Sequence, residues 1–177
     1  MNRTIPRQDH TLRRMTAGAM LAAVIALTTA YLFHIPVGGN GGYIHIGDAF
    51  VYLAGSLLPT PYACAAAALG GGLADLLSGS PIWLPATVVI KPLNALCFTC
   101  RGERLLCRRN LAASAASGLV TIGGYYLAEA LLVGSWVAPL AAIPSGLFQP
   151  VGSCAAYLLL AGALDRAGLK KRLSPLL

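Results

Sequence analysis

Four ionisable residues lie inside otherwise apolar stretches of this 177-residue sequence: Asp48, Asp75, Lys91 and Glu129. A charged side chain at the centre of a membrane-spanning helix costs about 2.5–3.5 kcal/mol on insertion scales. Residues of this kind usually face the inside of a helix bundle or a polar cavity, where they mark the route or the binding site of a solute. Acidic and basic groups together predict recognition of a small polar solute through ion pairs and hydrogen bonds.

Polar and aromatic residues near these four extend the candidate site. Asn94 follows Lys91 by about one helical turn on the same face, and Gln149 lies in the last apolar segment. The aromatic residues expected at the same depth are Tyr43, Trp83, Tyr125, Tyr126 and Trp136. Their flat rings would suit stacking on a heteroaromatic solute. For Trp83 and Trp136, a place in the aromatic belt at the membrane interface is an equally open interpretation.

Structural roles compete with solute binding at the charged positions. Asp48 follows Gly47 at the predicted start of a helix, where its side chain could serve as an N-cap. Asp75 and Lys91 come from neighbouring predicted helices and could form a purely structural ion pair. An acid near a helix C-terminus, as Asp75 would be, opposes the helix dipole and therefore calls for a specific partner.

The composition places these residues in a membrane protein. Hydrophobic residues make up 56% of the chain and charged residues 11%, against about 25% charged in an average globular domain. The net charge of +7 is confined almost entirely to the N-terminus, the segment 101–109 and the C-terminal tail, with Lys91 as the exception. This clustering follows the positive-inside rule and argues against a nucleic-acid partner.

A spanning helix needs roughly 20 apolar residues. Six segments qualify or come close, and they predict a single membrane domain, residues 1–177, with helices at about 12–33, 46–58, 61–78, 84–100, 111–134 and 138–164. Six crossings with both termini inside bring all three basic clusters to the cytoplasmic side. A glycine-rich loop, 34–47, then lies outside as a candidate lid. The first segment is too long for a cleaved signal sequence, and the second is short enough to be tilted or re-entrant.

In this topology, the four intramembrane ionisable residues fall in the outer half of the bilayer, on four different helices. One shared polar cavity that opens to the outside would explain their common depth. The prediction is therefore an all-α, multi-pass protein of the bacterial cytoplasmic membrane that binds its solute from outside.

Catalysis and cofactor chemistry are disfavoured. The chain has no G-x-S-x-G motif, and His10, His34 and His45 are expected outside the helices, so a serine nucleophile would lack a base. Cys97-x-x-Cys100 with Cys107 lacks a convincing fourth metal ligand. No phosphate-binding G-x-x-x-x-G-K-[ST] motif is present. We expect no enzyme activity, no cofactor and no metal.

Several motifs resemble the substrate-binding S components of energy-coupling factor (ECF) vitamin transporters, in particular the group for riboflavin and the hydroxymethylpyrimidine precursor of thiamine. The matching stretches are Gly47-Asp48-Ala49, then 70–79 (GGGLADLLSG), Pro85-Ala86-Thr87 and Ile90-Lys91. Lys91 is followed by Pro92, where the family more usually has a small residue, so the ligand geometry of relatives cannot be copied directly.

The resemblance implies a six-helix bundle that binds a vitamin or vitamin precursor from outside and associates with a T component and two ATPase subunits. Small residues on the first helix would form the contact with the T component: Gly18, Ala19, Ala22, Ala23 and Ala26. Packing within the bundle is the alternative role for these residues. A stand-alone secondary transporter is the alternative function, although the sequence shows no convincing internal repeat.

Overall fold

The computed structural model describes residues 7–32, 34–37 and 42–173. The principal helices are α1 (Arg7–Tyr31), α2 (Asp48–Leu57), α3 (Thr60–Leu77), α4 (Leu84–Cys97), α5 (Arg108–Val133), α6 (Ile143–Gly146), α7 (Phe148–Arg166) and α8 (Leu169–Leu173). Short 3-10 helices, Pro81–Trp83 and Ala138–Ala142, precede α4 and α6. Between α1 and α2, the strands β1 (Ile35–Val37) and β2 (Gly42–Ile44) pair in an antiparallel hairpin, with Ile35 opposite Ile44. The predicted all-α fold is confirmed apart from this small hairpin.

Two segments differ from the sequence-based expectation. The stretch 138–164 is not one helix but a 3-10 helix, the four-residue α6 and the longer α7. Pro139, Pro144 and Pro150 each lack a backbone N–H, which explains why the regular helix is established only after Leu147. At the other end, α1 begins before the apolar run, so His10 lies inside a helix rather than ahead of it. Asp9 in the first turn of α1 favours this extension through the helix dipole.

Helix α2 is only 10 residues long, about 15 Å, which is half the thickness of a bilayer core. Eight of its ten residues are buried, and it packs against α1, α3, α4 and α7. Its polar backbone ends are therefore covered by protein, which is the condition under which a short helix is stable at membrane depth. The other principal contacts join α1 to α3, α3 to α4, α4 to α5, and α5 to α7.

An aromatic cluster packs α2 against the C-terminal end of α4 and the middle of α7. The rings of Tyr52 and Phe98 stack with centroids 4.9 Å apart, and Tyr157 meets Phe98 edge-on at 5.3 Å. Tyr52 and Tyr157 are fully buried.

The surface is apolar and much of the interior is polar, as expected for a protein that faces lipid. Leucine, valine and methionine side chains are exposed along most of the helices, whereas Asp48, Lys91, Asn94, Asn110 and Gln149 are buried. Within the described residues, Asp9–Tyr31 and Arg108–Val133 are long and apolar enough to cross a membrane by length and composition. Two shorter apolar helices, Asp48–Leu57 and Pro81–Cys97, lie between them in the chain.

Candidate ligand-binding site

A buried ion pair lies at the centre of the candidate site. Lys91 Nζ donates a hydrogen bond to Asp48 Oδ1 at 2.5 Å, and Gln149 Nε2 donates one to Asp48 Oδ2 at 2.9 Å. The exposed fractions of Lys91, Asp48 and Gln149 are 2%, 0% and 8%, respectively. Three helices that are distant in sequence are thereby joined: α2 through Asp48, α4 through Lys91 and α7 through Gln149. A buried charge pair needs this additional hydrogen bond, because each ion gives up its hydration.

The start of α2 is held close to α1, which fixes the position of Asp48. A Cβ atom on Gly47 would lie 1.9 Å from Thr29 Oγ1, so only glycine fits this contact. Gly47 is the N-cap residue of α2, and as a glycine it has no side chain that could accept a hydrogen bond from the first turn of the helix. The carboxylate of Asp48 accepts hydrogen bonds from Lys91 and Gln149 instead. Asp48 thus makes side-chain ion-pair contacts across the bundle, and no side-chain cap bond is formed at this helix start.

Lys91 is positioned by a close crossing of α3 and α4. A Cβ atom on Gly71 would lie 2.9 Å from Lys91 Cγ and 2.8 Å from Thr87 Cγ2. The lysine stem therefore lies directly against the backbone of α3, and its ammonium group lies 5.3 Å from the centroid of the Tyr125 ring, within the range of a cation–π contact. Helix α4 continues through Pro92 to Cys97 despite the missing N–H of the proline.

Two aromatic rings border the ion pair. Trp83, at the entrance of α4, is 7% exposed and meets the ring of Tyr125 edge-on, with centroids 5.9 Å apart. The Tyr125 hydroxyl forms a 3.0 Å hydrogen bond with Thr87 Oγ1. Trp83 is thus buried beside the charged cluster, whereas Trp136 is 60% exposed, as an interfacial tryptophan would be. Tyr126 donates a hydrogen bond to the backbone oxygen of Trp136 at 2.7 Å.

Asn94 lies one turn below Lys91 and is fully buried. Its amide nitrogen donates to Thr121 Oγ1 at 2.8 Å, and its backbone oxygen accepts a 3.4 Å bond from Ser117 Oγ. In the described part of the chain, Asn94 Oδ1 and Trp83 Nε1 have no hydrogen-bond partner. A buried acceptor and a buried donor without partners are costly in an empty protein, and a ligand with complementary groups would satisfy both.

The remaining predicted residues lie around this cluster to different degrees. Asp75 is buried near the end of α3, where Ser80 N–H donates to its backbone oxygen at 2.8 Å. Glu129 is half-buried on α5, one turn beyond Tyr125. The Tyr43 side chain lies outside the described residues, although its backbone belongs to β2. Lys91, the partner that the sequence suggested for Asp75, is bonded to Asp48 in the structure.

The structure adds residues that the sequence analysis missed. His45 is buried just ahead of α2, its Nδ1 accepts the Gly47 N–H at 3.0 Å, and Ser153 Oγ donates to its backbone oxygen at 3.4 Å. Burial lowers the pKa of His45 to about 3, so the ring is neutral at physiological pH. Thr87 and Ser153 could have been found from their spacing, because each is one helical turn from a predicted site residue, Lys91 or Gln149.

The sequence matches the family model of the S component of ECF-type riboflavin transporters over residues 9–166. The chain belongs to this family. No individual curated protein matches it significantly. As an ECF S component, the protein is a membrane-embedded, substrate-binding subunit of a vitamin-uptake transporter.

The small residues on α1 of this S component separate into two rows. Gly18, Ala22 and Ala26 are buried against the bundle, and a Cβ atom on Gly70 of α3 would lie 2.7 Å from the backbone oxygen of Ala22. These three positions pack within the chain, which is the alternative role that the sequence left open for them. Ala19 and Ala23 form the adjacent row of the helix and are exposed.

Proposed function

We propose that this S component captures a small vitamin or vitamin precursor from the outer side of the bacterial cytoplasmic membrane and delivers it through a T component and two ATPase subunits. The observation that carries the proposal is the buried Asp48–Lys91–Gln149 cluster bordered by Trp83 and Tyr125. Charged groups at this depth are expensive and rare in a membrane bundle, and where they occur they usually mark the pathway or binding site of a solute. The subunit itself acts by binding, without catalysis.

The proposed topology has six crossings with both termini in the cytoplasm. Two features support it: the site residues Asp48 and Gln149 start their helices at the end of the bundle that carries the β-hairpin, and the basic segment 101–109 lies at the opposite end. By the positive-inside rule, the basic end is cytoplasmic, so the site faces outward. Helices α6 and α7 together with the preceding 3-10 helix would form the sixth crossing.

The chemistry of the site favours an uncharged heteroaromatic ligand. The charges of Lys91 and Asp48 already neutralise each other, so neither is left over to pair with a charged group of the ligand. Trp83 Nε1 offers a donor, Asn94 Oδ1 offers an acceptor, and the ring of Tyr125 offers an apolar edge. Riboflavin is the first ligand to test, because it is the vitamin named for the family, and it has both hydrogen-bonding groups and a flat ring system.

The test is ligand identification followed by titration. Native mass spectrometry of the freshly purified protein would identify a co-purifying small molecule, and isothermal titration with riboflavin, hydroxymethylpyrimidine and pyridoxine would rank candidates. Lys91→Ala should abolish binding while the protein still inserts, and Lys171→Ala, which removes an exposed lysine, is the matched control. Unchanged affinity in Lys91→Ala, or the absence of binding and thermal stabilisation by every vitamin, would contradict the proposal.

Delivery through partner subunits has a separate test. Ala19→Trp and Ala23→Trp place a bulky side chain on the exposed row of α1, so uptake should fall while ligand binding by the isolated subunit stays intact. Leu119→Trp, at an exposed position on α5, is the control. Full uptake in cells without a T component would instead favour a stand-alone secondary transporter.

A further inference from the structure

The loop between α4 and α5, residues 98–107, has no regular helix but is held firmly by a buried asparagine. Asn110 is fully buried. Its Oδ1 accepts the Thr99 N–H at 2.8 Å, and its Nδ2 donates to the backbone oxygens of Thr99 at 3.0 Å and Leu105 at 2.9 Å. A third contact from Nδ2 reaches Ser56 Oγ on α2 at 3.2 Å. One side chain therefore holds both ends of the loop.

The C-terminal helices hold the same loop from the other side. Both oxygens of the Asp165 carboxylate accept backbone N–H groups, those of Leu105 at 2.8 Å and Leu106 at 3.0 Å. Tyr157 donates to the backbone oxygen of Leu105 at 3.1 Å. Lys170 of α8 donates to the backbone oxygen of Ser56 at 3.0 Å. The loop and the basic tail are consequently neighbours in one ordered assembly.

This assembly carries six basic residues, which we call the basic rim: Arg101, Arg104, Arg108, Arg109, Lys171 and Arg172. All six side chains are exposed. Within the described residues, none of them forms a side-chain ion pair or hydrogen bond. The acidic residues of the two segments do not neutralise the rim, because Glu103 is a single charge and Asp165 binds loop amides.

The basic rim borders the apolar surface that faces the membrane. Leu93 and Leu96 on α4 and Leu111 on α5 are exposed close to it in the chain. Side chains at the edge of such an apolar band lie at the level of the lipid headgroups, where phosphates are found. Five of the six members are arginines, whose planar guanidinium group binds phosphate oxygens in pairs.

We propose that the basic rim is a binding site for anionic phospholipid headgroups of the cytoplasmic leaflet. The proposal rests on the orientation given under the proposed function. A further observation favours an anion here: Arg108 and Arg109 form the first turn of α5, which contains no acidic residue. Cations at this end of a helix are opposed by the helix dipole, so an anion beside them would relieve the repulsion. An acidic protein surface would not need the flanking apolar band, which makes lipid the better match.

The experiment measures lipid retention by the full-length protein. The protein is exchanged into detergent with equimolar phosphatidylglycerol and phosphatidylcholine, and bound lipids are counted by native mass spectrometry. We expect the wild type to retain phosphatidylglycerol preferentially, and the quadruple R101Q/R104Q/R108Q/R109Q variant to lose that preference by at least about tenfold, since each basic residue at the surface contributes measurably to attraction. The R101K/R104K/R108K/R109K variant keeps the charge and should retain a partial preference. Riboflavin binding should be the same in all three proteins, because the site lies at the other end of the bundle.

Three outcomes would overturn the proposal. The first is equal retention of both lipids by the wild type. The second is an unchanged preference in the quadruple glutamine variant. The third is displacement of phosphatidylglycerol by millimolar inorganic phosphate, which would make the rim a site for free phosphate.

If circular dichroism shows that the glutamine variant is not folded, the phosphatidylglycerol preference of the wild type is measured at increasing salt concentration instead. Headgroup binding through exposed arginines must weaken as ionic strength rises, so a preference that is independent of salt would refute the proposal. Absence of riboflavin binding in the wild type would count against the proposed function and leave the lipid result standing.

Discussion

Removing the ammonium group of Lys91 tests the central ion pair most directly. In Lys91→Met the side chain keeps its approximate length, so the contact with Gly71 is retained. The buried Asp48 carboxylate keeps its hydrogen bond from Gln149 but loses the cation that balances its charge. Breaking a buried ion pair in this way costs about 3–5 kcal/mol. For a chain of this size, that corresponds to a fall of roughly 6–20 °C in the unfolding temperature.

The double variant Asp48→Asn/Lys91→Met separates the charge effect from the packing effect. With both charges removed, the amide that replaces the Asp48 carboxylate leaves no uncompensated ion to bury, and most of the lost stability should return. Ligand affinity should not return, because the polar site is dismantled in both variants. We expect both variants to lose about 2–5 kcal/mol of binding free energy, which corresponds to a dissociation constant at least about 30-fold higher than that of the wild type.

Two assays are needed. Thermal unfolding in detergent is monitored by tryptophan fluorescence, and ligand affinity is measured by isothermal titration calorimetry with the identified ligand. Lys171→Met provides the control for loss of a lysine at an exposed position. An unfolding temperature of Lys91→Met within about 2 °C of the wild type would refute the reasoning, because the isolated Asp48 carboxylate could then be buried at almost no cost. Failure of the double variant to regain stability would show that the uncompensated charge of Asp48 is not the cause of the loss.

Three further predictions concern positions around the site and the loop. Gly71→Ala should lower the free energy of unfolding by about 1–3 kcal/mol and weaken ligand binding, because the new methyl group displaces Lys91. Gly123 has open space around it, so Gly123→Ala should change neither quantity. Thermal melting and ligand titration of both variants check this. Trp83→Phe should leave the melting temperature nearly unchanged but raise the dissociation constant of the ligand about 5- to 30-fold, because the indole N–H is lost. Equal affinity in the variant and the wild type would show that this N–H does not bind the ligand. Asn110→Ala should lower the free energy of unfolding by about 2–4 kcal/mol and make the arginine-rich loop sensitive to trypsin in detergent, because the bonds that hold the loop are lost. An unaltered digestion pattern would contradict the role assigned to this side chain.

The sequence sufficed for the helical nature of the fold and for the selection of the buried charged residues. Costly groups such as Lys91 stand out because they interrupt apolar runs, and their position along a helix follows from simple counting. The pairing of Lys91 was not predictable in the same way. Helix α4 contacts both α2 and α3, and both offer an aspartate, so only the three-dimensional arrangement distinguishes Asp48 from Asp75.

Other features depend on contacts that leave no periodic signal. In the sequence, Asn110 is one more polar residue after a run of arginines, yet it organises the loop through bonds to the backbone. Trp83 matches an interfacial tryptophan equally well until its burial is known. The breaks in the sixth segment follow from prolines that were visible in the sequence, but whether a proline bends a helix or divides it depends on its neighbours.

The two rows of small residues on α1 differ in how freely they can be substituted during evolution. Gly18, Ala22 and Ala26 are buried against their own chain, and the backbone of Ala22 lies so close to Gly70 of α3 that a Cβ atom on Gly70 would not fit. Ala19 and Ala23 carry no such constraint, so natural variation at these two positions can change the exposed surface of α1 while the interior of the bundle stays as it is. A single helix would thus let its outer surface and its packing against the bundle diverge independently.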